Sequence, residues 1–449
     1  MRRTPLFLLL LASCGSDQSF VYDLEPIQLA RAPITPGGEA LGGLLANVTT
    51  SAGIQPLLVD SAYPINSLAP AGCAGGGTPG WTYTGNMDLR DGSPAAPVRA
   101  SFDNVGLFDL CPGPTGDATT QPAGVMGGPL LANFSVGFVF PRSADPLATA
   151  TMSLWPSFPG SDDQLAQDGF VPLRFDVRGG ANAGQGTGGT GGEASLTLSN
   201  ARVVLAACAA PRDFSTSEPV ETCAPGEATL KASGQELLLA VGTGEGPLIL
   251  SQSAWNRIAA QLGVASDAGT AGDLFTPFSA TPTPAHFLTL PRLAMFQGIT
   301  TDTTWTGACT ELARARRIEW VLANQDTGAC FQPCDASSGQ ALTTHSYLEL
   351  GGPLDLAVIS ETSTLIQSLN ADTPPNPQID GIIGAGTLAG TRMRLDYPST
   401  PQGRVIAACE NGSTRDQCWP APSCPGLSAN GQKHVCFGQP ARGWAPVCP

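Results

Sequence analysis

Leu57-Leu58-Val59-Asp60-Ser61-Ala62-Tyr63-Pro64-Ile65 and Leu239-Ala240-Val241-Gly242-Thr243-Gly244-Glu245-Gly246-Pro247-Leu248 follow one plan. Each is an apolar run that enters a turn of small residues and leaves through a proline into a second apolar run. The second copy carries one extra residue in its turn. Gly124-Val125-Met126-Gly127-Gly128-Pro129-Leu130-Leu131 and Gly381-Ile382-Ile383-Gly384-Ala385-Gly386-Thr387-Leu388 form another matched pair, in the same order along the chain. They align without a gap through Phe138-Val139-Phe140-Pro141 and Leu395-Asp396-Tyr397-Pro398. A third echo, Arg202-Val203-Val204-Leu205-Ala206-Ala207-Cys208 against Arg404-Val405-Ile406-Ala407-Ala408-Cys409, is expected to close each half. Ordered self-similarity of this kind marks a duplicated structural unit.

The composition sets the class. The chain has 449 residues, of which 54 are Gly and 40 Pro, and only 13% are charged. That many prolines break long helices, and no period-three repeat supports collagen. The expected chain is strand-rich. Short β-rich runs bounded by turn residues lie at Val98 to Leu110, Phe134 to Phe140, Ser195 to Leu205 and His286 to Leu290. Helical spacing of Trp255, Ile258, Ala259 and Leu262 predicts a helix over Ser251 to Leu262 with Ser251 as its N-cap, and a shorter one over Thr362 to Leu369. A net charge of −15 offers no basic footprint for nucleic acid.

The N-terminus reads as an address. Met1-Arg2-Arg3 precedes Leu6 to Leu11, a basic then apolar pattern too short to span a bilayer. Leu11-Ala12-Ser13-Cys14 is similar to a bacterial lipobox. The expectation is a lipoprotein signal peptide at 1–13, lipid attachment at Cys14, and a membrane tether to the cell envelope, at the outer membrane or cell surface. With Cys14 lipidated, twelve cysteines remain for as many as six disulfides in an oxidising compartment. The scattered His286, His345 and His434 give no metal-ligand spacing, so no metal is expected.

An apolar strand ending in Asp-Ser, followed later by two apolar residues and Gly, and all of it repeated, resembles the bilobal pepsin-like and retropepsin-like aspartic peptidases. The likeness runs over about residues 50 to 410. It implies an all-β bilobal fold, with two related β-barrel-like lobes around a central cleft. It also implies two carboxylates about 3 Å apart that share one proton. Asp60 holds the first of those positions, but Gly242 stands at the second. Ser61 and Thr243 supply the hydroxyls expected to support the turns. Ala62 stands where the family has Gly, and Tyr63 follows it. Glu245 or Asp380 could be proposed as a substitute acid, although such a turn does not ordinarily aim a neighbouring residue at the cleft floor. Tyr83-Thr84-Gly85 could tip a flap hairpin over the cleft.

The organisation expected is a tether at 14–25, a first lobe at 26–212 with the Gly-rich run Gly179 to Gly192, a second lobe at 213–409 with a Cys-containing insertion, and a Cys-rich tail at 410–449. The leading functional expectation is a catalytically inactive binding protein that holds a peptide or protein between its lobes. An acid-active endopeptidase using Asp60 and a non-standard second acid competes with it, as does a passive envelope scaffold. No cofactor is expected. Gly384-Ala385-Gly386-Thr387-Leu388-Ala389 matches a dinucleotide fingerprint, but Pro398 and Pro401 follow too soon for the helix and second strand it requires, so no nucleotide is expected either.

Overall fold

The structure is a computed structural model. It describes residues 20–22, 26–31, 43–50, 53–63, 66–68, 80–93, 95–109, 123–140, 150–155, 170–173, 176–178, 202–210, 234–262, 264–274, 282–296, 309, 347–370, 378–397, 404–409 and 418–420. The signal segment, Cys14, the Gly-rich run and most of the Cys-rich tail lie outside these.

Ten strands build the first lobe: β1 (Phe20–Tyr22), β2 (Ile27–Arg31), β3 (Leu44–Thr50), β4 (Gly53–Asp60), β5 (Ser67–Leu68), β6 (Gly80–Arg90), β7 (Val98–Asp109), β8 (Gly124–Gly127), β9 (Ser135–Phe140) and β10 (Ala150–Trp155). Helix α1 (Gly128–Leu131) joins β8 to β9. The second lobe contains β11 (Val171–Leu173), β12 (Asp176–Arg178), β13 (Arg202–Ala210), β14 (Gln235–Gly242), β15 (Leu248–Ser251), β16 (Thr270–Leu274), β17 (Thr283–Phe296), β18 (Tyr347–Ile359), β19 (Gly381–Gly384), β20 (Thr391–Asp396), β21 (Arg404–Cys409) and β22 (Cys418–Pro420). Helices α2 (Gln252–Leu262) and α3 (Thr364–Asn370) complete it. Ser251 Oγ accepts the Ala254 amide at 3.3 Å, capping α2 as expected. The all-β bilobal architecture is therefore the one the sequence implied.

The duplication is visible in the strand pairing. β4 lies antiparallel to β3 and parallel to β8, with Asp60 opposite Gly127. β14 lies antiparallel to β13 and parallel to β19, with Gly242 opposite Gly384. β5 runs antiparallel to β8 and parallel to β7; β15 runs antiparallel to β19 and parallel to β18. Long hairpins, β6–β7 and β17–β18, flank the two lobes. The Gly at the start of each apolar pair permits this crossing. A Cβ on Gly124 would overlap the Ser67 carbonyl oxygen, and one on Gly381 would overlap that of Ile249. The inner strands β8, β14 and β19 end in unbroken buried runs because both of their faces are covered.

Between the lobes runs a sheet in the order β2-β10-β9-β20-β21-β11. β9 and β20 meet at its centre, and Ser135 Oγ donates to Asp396 Oδ1 at 2.6 Å there. Arg394 projects from this sheet between the rings of Trp155 and Phe170.

Two sequence expectations are corrected by these pairings. β13 was expected to close the first half, but it pairs with β14 and β17 and so opens the second. Its resemblance to β21 is one of composition, both carrying Ala and Val; the counterpart of β21, which pairs with β20, is β10, which pairs with β9. β12 and β13, which the expected first lobe of 26–212 includes, pair with each other, and β13 pairs with β14 and β17 of the second lobe's sheet. Cys208 on β13 is bonded to Cys309, which ties the Cys-containing insertion to the second lobe.

Candidate functional site

Each inner strand delivers its last residue to the junction of the lobes and then turns sharply. The two turns are bound to each other through their hydroxyls. Ser61 Oγ donates to the Val241 carbonyl at 2.6 Å, and Thr243 Oγ1 donates to the Val59 carbonyl at 2.5 Å. Thr243 Oγ1 also accepts the Ser61 amide at 3.3 Å, and the Leu44 amide donates to the Thr243 carbonyl at 2.9 Å. Both carbonyls belong to the residue just before the turn's first position, so each hydroxyl secures the end of the opposite inner strand. Ser61 and Thr243 are wholly buried, as is Ala62, whose side chain packs into the second lobe's core beside Ala240 and Ile382.

Asp60 sits at this junction with no solvent exposure. Its Oδ1 accepts the Ala62 amide at 2.9 Å. Its Oδ2 lies 2.8 Å from where a Cβ on Gly244 would be, so the second turn needs a glycine there to let the acid in. Burial pushes the Asp60 carboxyl up to about 6, against the pull of the Ala62 and Gly244 amides and of the Arg202 guanidinium.

Gly242 leaves a space, and Glu245 fills it. A Cβ on Gly242 would overlap Glu245 Oε2 and would stand 2.6 Å from Ile382 Cγ2 and 3.4 Å from the Ala62 methyl. The Glu245 side chain thus turns back over three residues and places its carboxyl where the missing side chain would begin. Glu245 is 2% exposed, and neither of its oxygens has a hydrogen-bond partner among the described residues. Burial first, and then the charge on Asp60, hold its carboxyl well above the ordinary carboxylate range. Sequence reasoning named Glu245 as a possible substitute acid but set it aside because such a turn does not ordinarily aim a neighbouring residue at the cleft floor. The signal that could have found it was the pairing of a vacated first position with a long acid at the fourth.

Asp380, the other candidate acid, is not part of this pair. Its Oδ2 accepts the Leu238 amide at 2.9 Å and its Oδ1 binds Arg257 at 2.6 Å, inside the second lobe. Two phenols close in on the acids instead. Tyr63 is 5% exposed, and its hydroxyl is pushed up by burial and by the charge of Asp60. Tyr397, which follows β20, is shifted in the same direction for the same two reasons. The expected flap tip is corrected: Tyr83 pairs with Leu107 within the β6–β7 ladder, and that hairpin turns at 91–97. The dinucleotide-like run forms a turn whose Ala385 and Gly386 amides donate to the Glu245 and Gly246 carbonyls, so they do not face outward as a phosphate cradle.

No protein-family model matches the chain, and no curated protein matches it. Among solved structures, basic 7S globulin from soybean overlays with a TM-score of 0.37 at 11% identity, covering 86% of this chain and 95% of that one.

Proposed function

We propose that the protein is an aspartic-type peptide hydrolase whose acid pair is Asp60 and Glu245. The carrying observation is the buried Glu245 carboxyl at the place where a Cβ on Gly242 would stand, at the junction of the lobes and within reach of the charge on Asp60. The expectation of inactivity rested on Gly242 and on a turn that does not ordinarily aim a neighbour at the cleft floor; the position of the Glu245 carboxyl speaks against the second ground. The choice of a peptide as substrate comes from the sequence resemblance.

The chemistry uses one proton on two acids. Asp60, raised by burial to about 6, is assigned the base, and Glu245, held well above the ordinary carboxylate range by burial and by the charge of Asp60, the acid. Asp60 takes a proton from water as the water oxygen attacks the peptide carbonyl carbon. Glu245 donates its proton to the carbonyl oxygen. When the tetrahedral intermediate collapses, the C–N bond breaks, the amine leaves with the proton from Asp60, and Glu245 recovers its own. Such a pair works near neutrality rather than in strong acid, since protonating Asp60 removes the base.

A second reading, peptide binding without turnover, is favoured by the burial of the pair: Asp60 is 0% exposed and Glu245 2%. Hydrolysis requires that the junction admit water and substrate. One experiment separates the readings: cleavage of a mixed peptide library by the oxidised protein from about pH 4 to 9, beside Asp60→Asn and Glu245→Gln. Hydrolysis that rises through about pH 6 and falls about a thousandfold in either variant is expected. A folded wild type that cleaves nothing but retains library peptides would establish the binding reading, and turnover that survives Glu245→Gln would remove Glu245 from the pair. The lipid tether at Cys14 and the envelope location rest on the N-terminal sequence, and mass spectrometry of the mature N-terminus would test them.

A further inference from the structure

Ala62 stands where the resembled family has Gly, Gly242 stands where it has an acid, and Glu245 follows three residues later. These three residues meet at one point in space. The place where a Cβ on Gly242 would stand overlaps Glu245 Oε2, and it lies 2.6 Å from Ile382 Cγ2 and 3.4 Å from the Ala62 methyl. Glu245 is 2% exposed, and neither of its oxygens has a hydrogen-bond partner among the described residues. Its direction is therefore set by the groups it lies against, as in any close-packed interior. Ala62 also reaches the other acid, because its amide donates to Asp60 Oδ1 at 2.9 Å. On the reading of Glu245 as the acid of the pair, we propose that the Ala62 methyl and Ile382 Cγ2 form the wall that positions its carboxyl. Ala62 is then a positioning residue for both acids, for Asp60 through its amide and for Glu245 through its side chain.

The wall takes one group from each lobe. Ala62 comes two residues after the end of β4, and its side chain enters the second lobe's core with Ala240 and Ile382. Ile382 is held from both sides, opposite Ala240 of β14 and Ile249 of β15. Both wall residues are wholly buried. Glycine at position 62 would leave the space of a methyl, into which the carboxyl could swing or a water could enter and bind it. Serine there would keep the bulk and add a hydroxyl donor. Either change redirects the proton that Glu245 gives to the substrate carbonyl, and small misplacements of that kind cost turnover.

The test reads the carboxyl and turnover together, on the full-length oxidised protein. Infrared spectra are recorded near pH 6, where exposed carboxylates are ionised. The difference between wild type and Glu245→Gln isolates the C=O stretch of a protonated Glu245. A carbonyl oxygen without a hydrogen bond stretches at high frequency, and a hydrogen bond lowers it. Ala62→Ser and Ala62→Gly are each expected to lower that frequency and to reduce kcat about tenfold or more, with KM held within about twofold. Ile382→Leu removes the Cγ2 branch and is expected to do the same, whereas Ile382→Val keeps that branch and is expected to leave both readings near wild type. Equal effects of the two Ile382 variants would mark a general loosening of the core and overturn the proposal. An unmoved stretch in both Ala62 variants, or a wild type without such a stretch, would overturn it too. Absent peptide cleavage by the folded wild type would sink the hydrolase reading, and the stretch would still decide the wall.

Discussion

In the first turn the acid is the residue that ends the inner strand, Asp60, and the fourth position is the phenol Tyr63. In the second, the strand ends at Gly242 and an acid, Glu245, stands at the fourth position. The strand pairing and one hydroxyl tie of each turn are matched. Each inner strand pairs in parallel with an apolar-apolar-Gly strand, and a hydroxyl from each turn caps the strand end of the other. On the proposed reading, the duplicated scaffold specifies a place for a carboxyl rather than a sequence position for it. A short side chain from the first position or a long one from the fourth can reach the same space. Removing the first makes room for the second, and that is why the Gly242 Cβ position and Glu245 Oε2 exclude each other.

The sharpest way to break this comparison is to undo the relocation. Gly242→Asp alone drives its Cβ into Glu245 Oε2 and against Ile382, and turnover is expected to fall about a hundredfold or more. Adding Glu245→Ser clears the space and restores an acid at the matched position. The double variant is expected to recover to within about tenfold of the parent in the peptide assay. A double variant no better than Gly242→Asp would show that the two positions are not interchangeable.

Next in size is the crossing that both lobes share. Gly124→Ala and Gly381→Ala each force a methyl into a neighbouring carbonyl, and each is expected to cost about 3 to 5 kcal/mol in denaturant unfolding. Equal costs would support the equivalence of the lobes; a tolerated Gly124→Ala beside an intolerant Gly381→Ala would show the first crossing to be looser.

The smallest effect tests the hydroxyl pair. Thr243→Val removes a donor to the Val59 carbonyl and the acceptor of the Ser61 amide, whereas Ser61→Ala removes only the donor to the Val241 carbonyl. Stability losses of about 2 and about 1 kcal/mol respectively are expected from thermal unfolding. The reverse order would mean that Thr243 rearranges to satisfy its partners.

Much of this was legible because periodicity and repetition are local. The apolar runs at Leu57 to Val59 and Leu239 to Val241, and the pairs Val125-Met126 and Ile382-Ile383, announce buried strands by their own composition. Ser61 and Thr243 were recognisable because each sits immediately after its strand end. β13 was misassigned because strand composition reports burial and not partner, and its pairing with β14 and β17 is a long-range choice. The hairpin was found, but its turn was misplaced, since Tyr83-Thr84-Gly85 looks like a turn in isolation and only the ladder register puts the reversal at 91–97.

By itself, then, the sequence determined the strand-rich class, the duplication, and a glycine at position 242 where the resemblance implies an acid, because these are properties of residue type and order. Only the tertiary structure decided that Glu245 fills the vacancy and that Asp380 is spent on Arg257 and the Leu238 amide. Where a side chain's end lies depends on which spaces its neighbours leave open. At this junction those spaces are set by residues about 180 positions away in the chain, as the contacts of Ser61 with Val241 and Thr243 record.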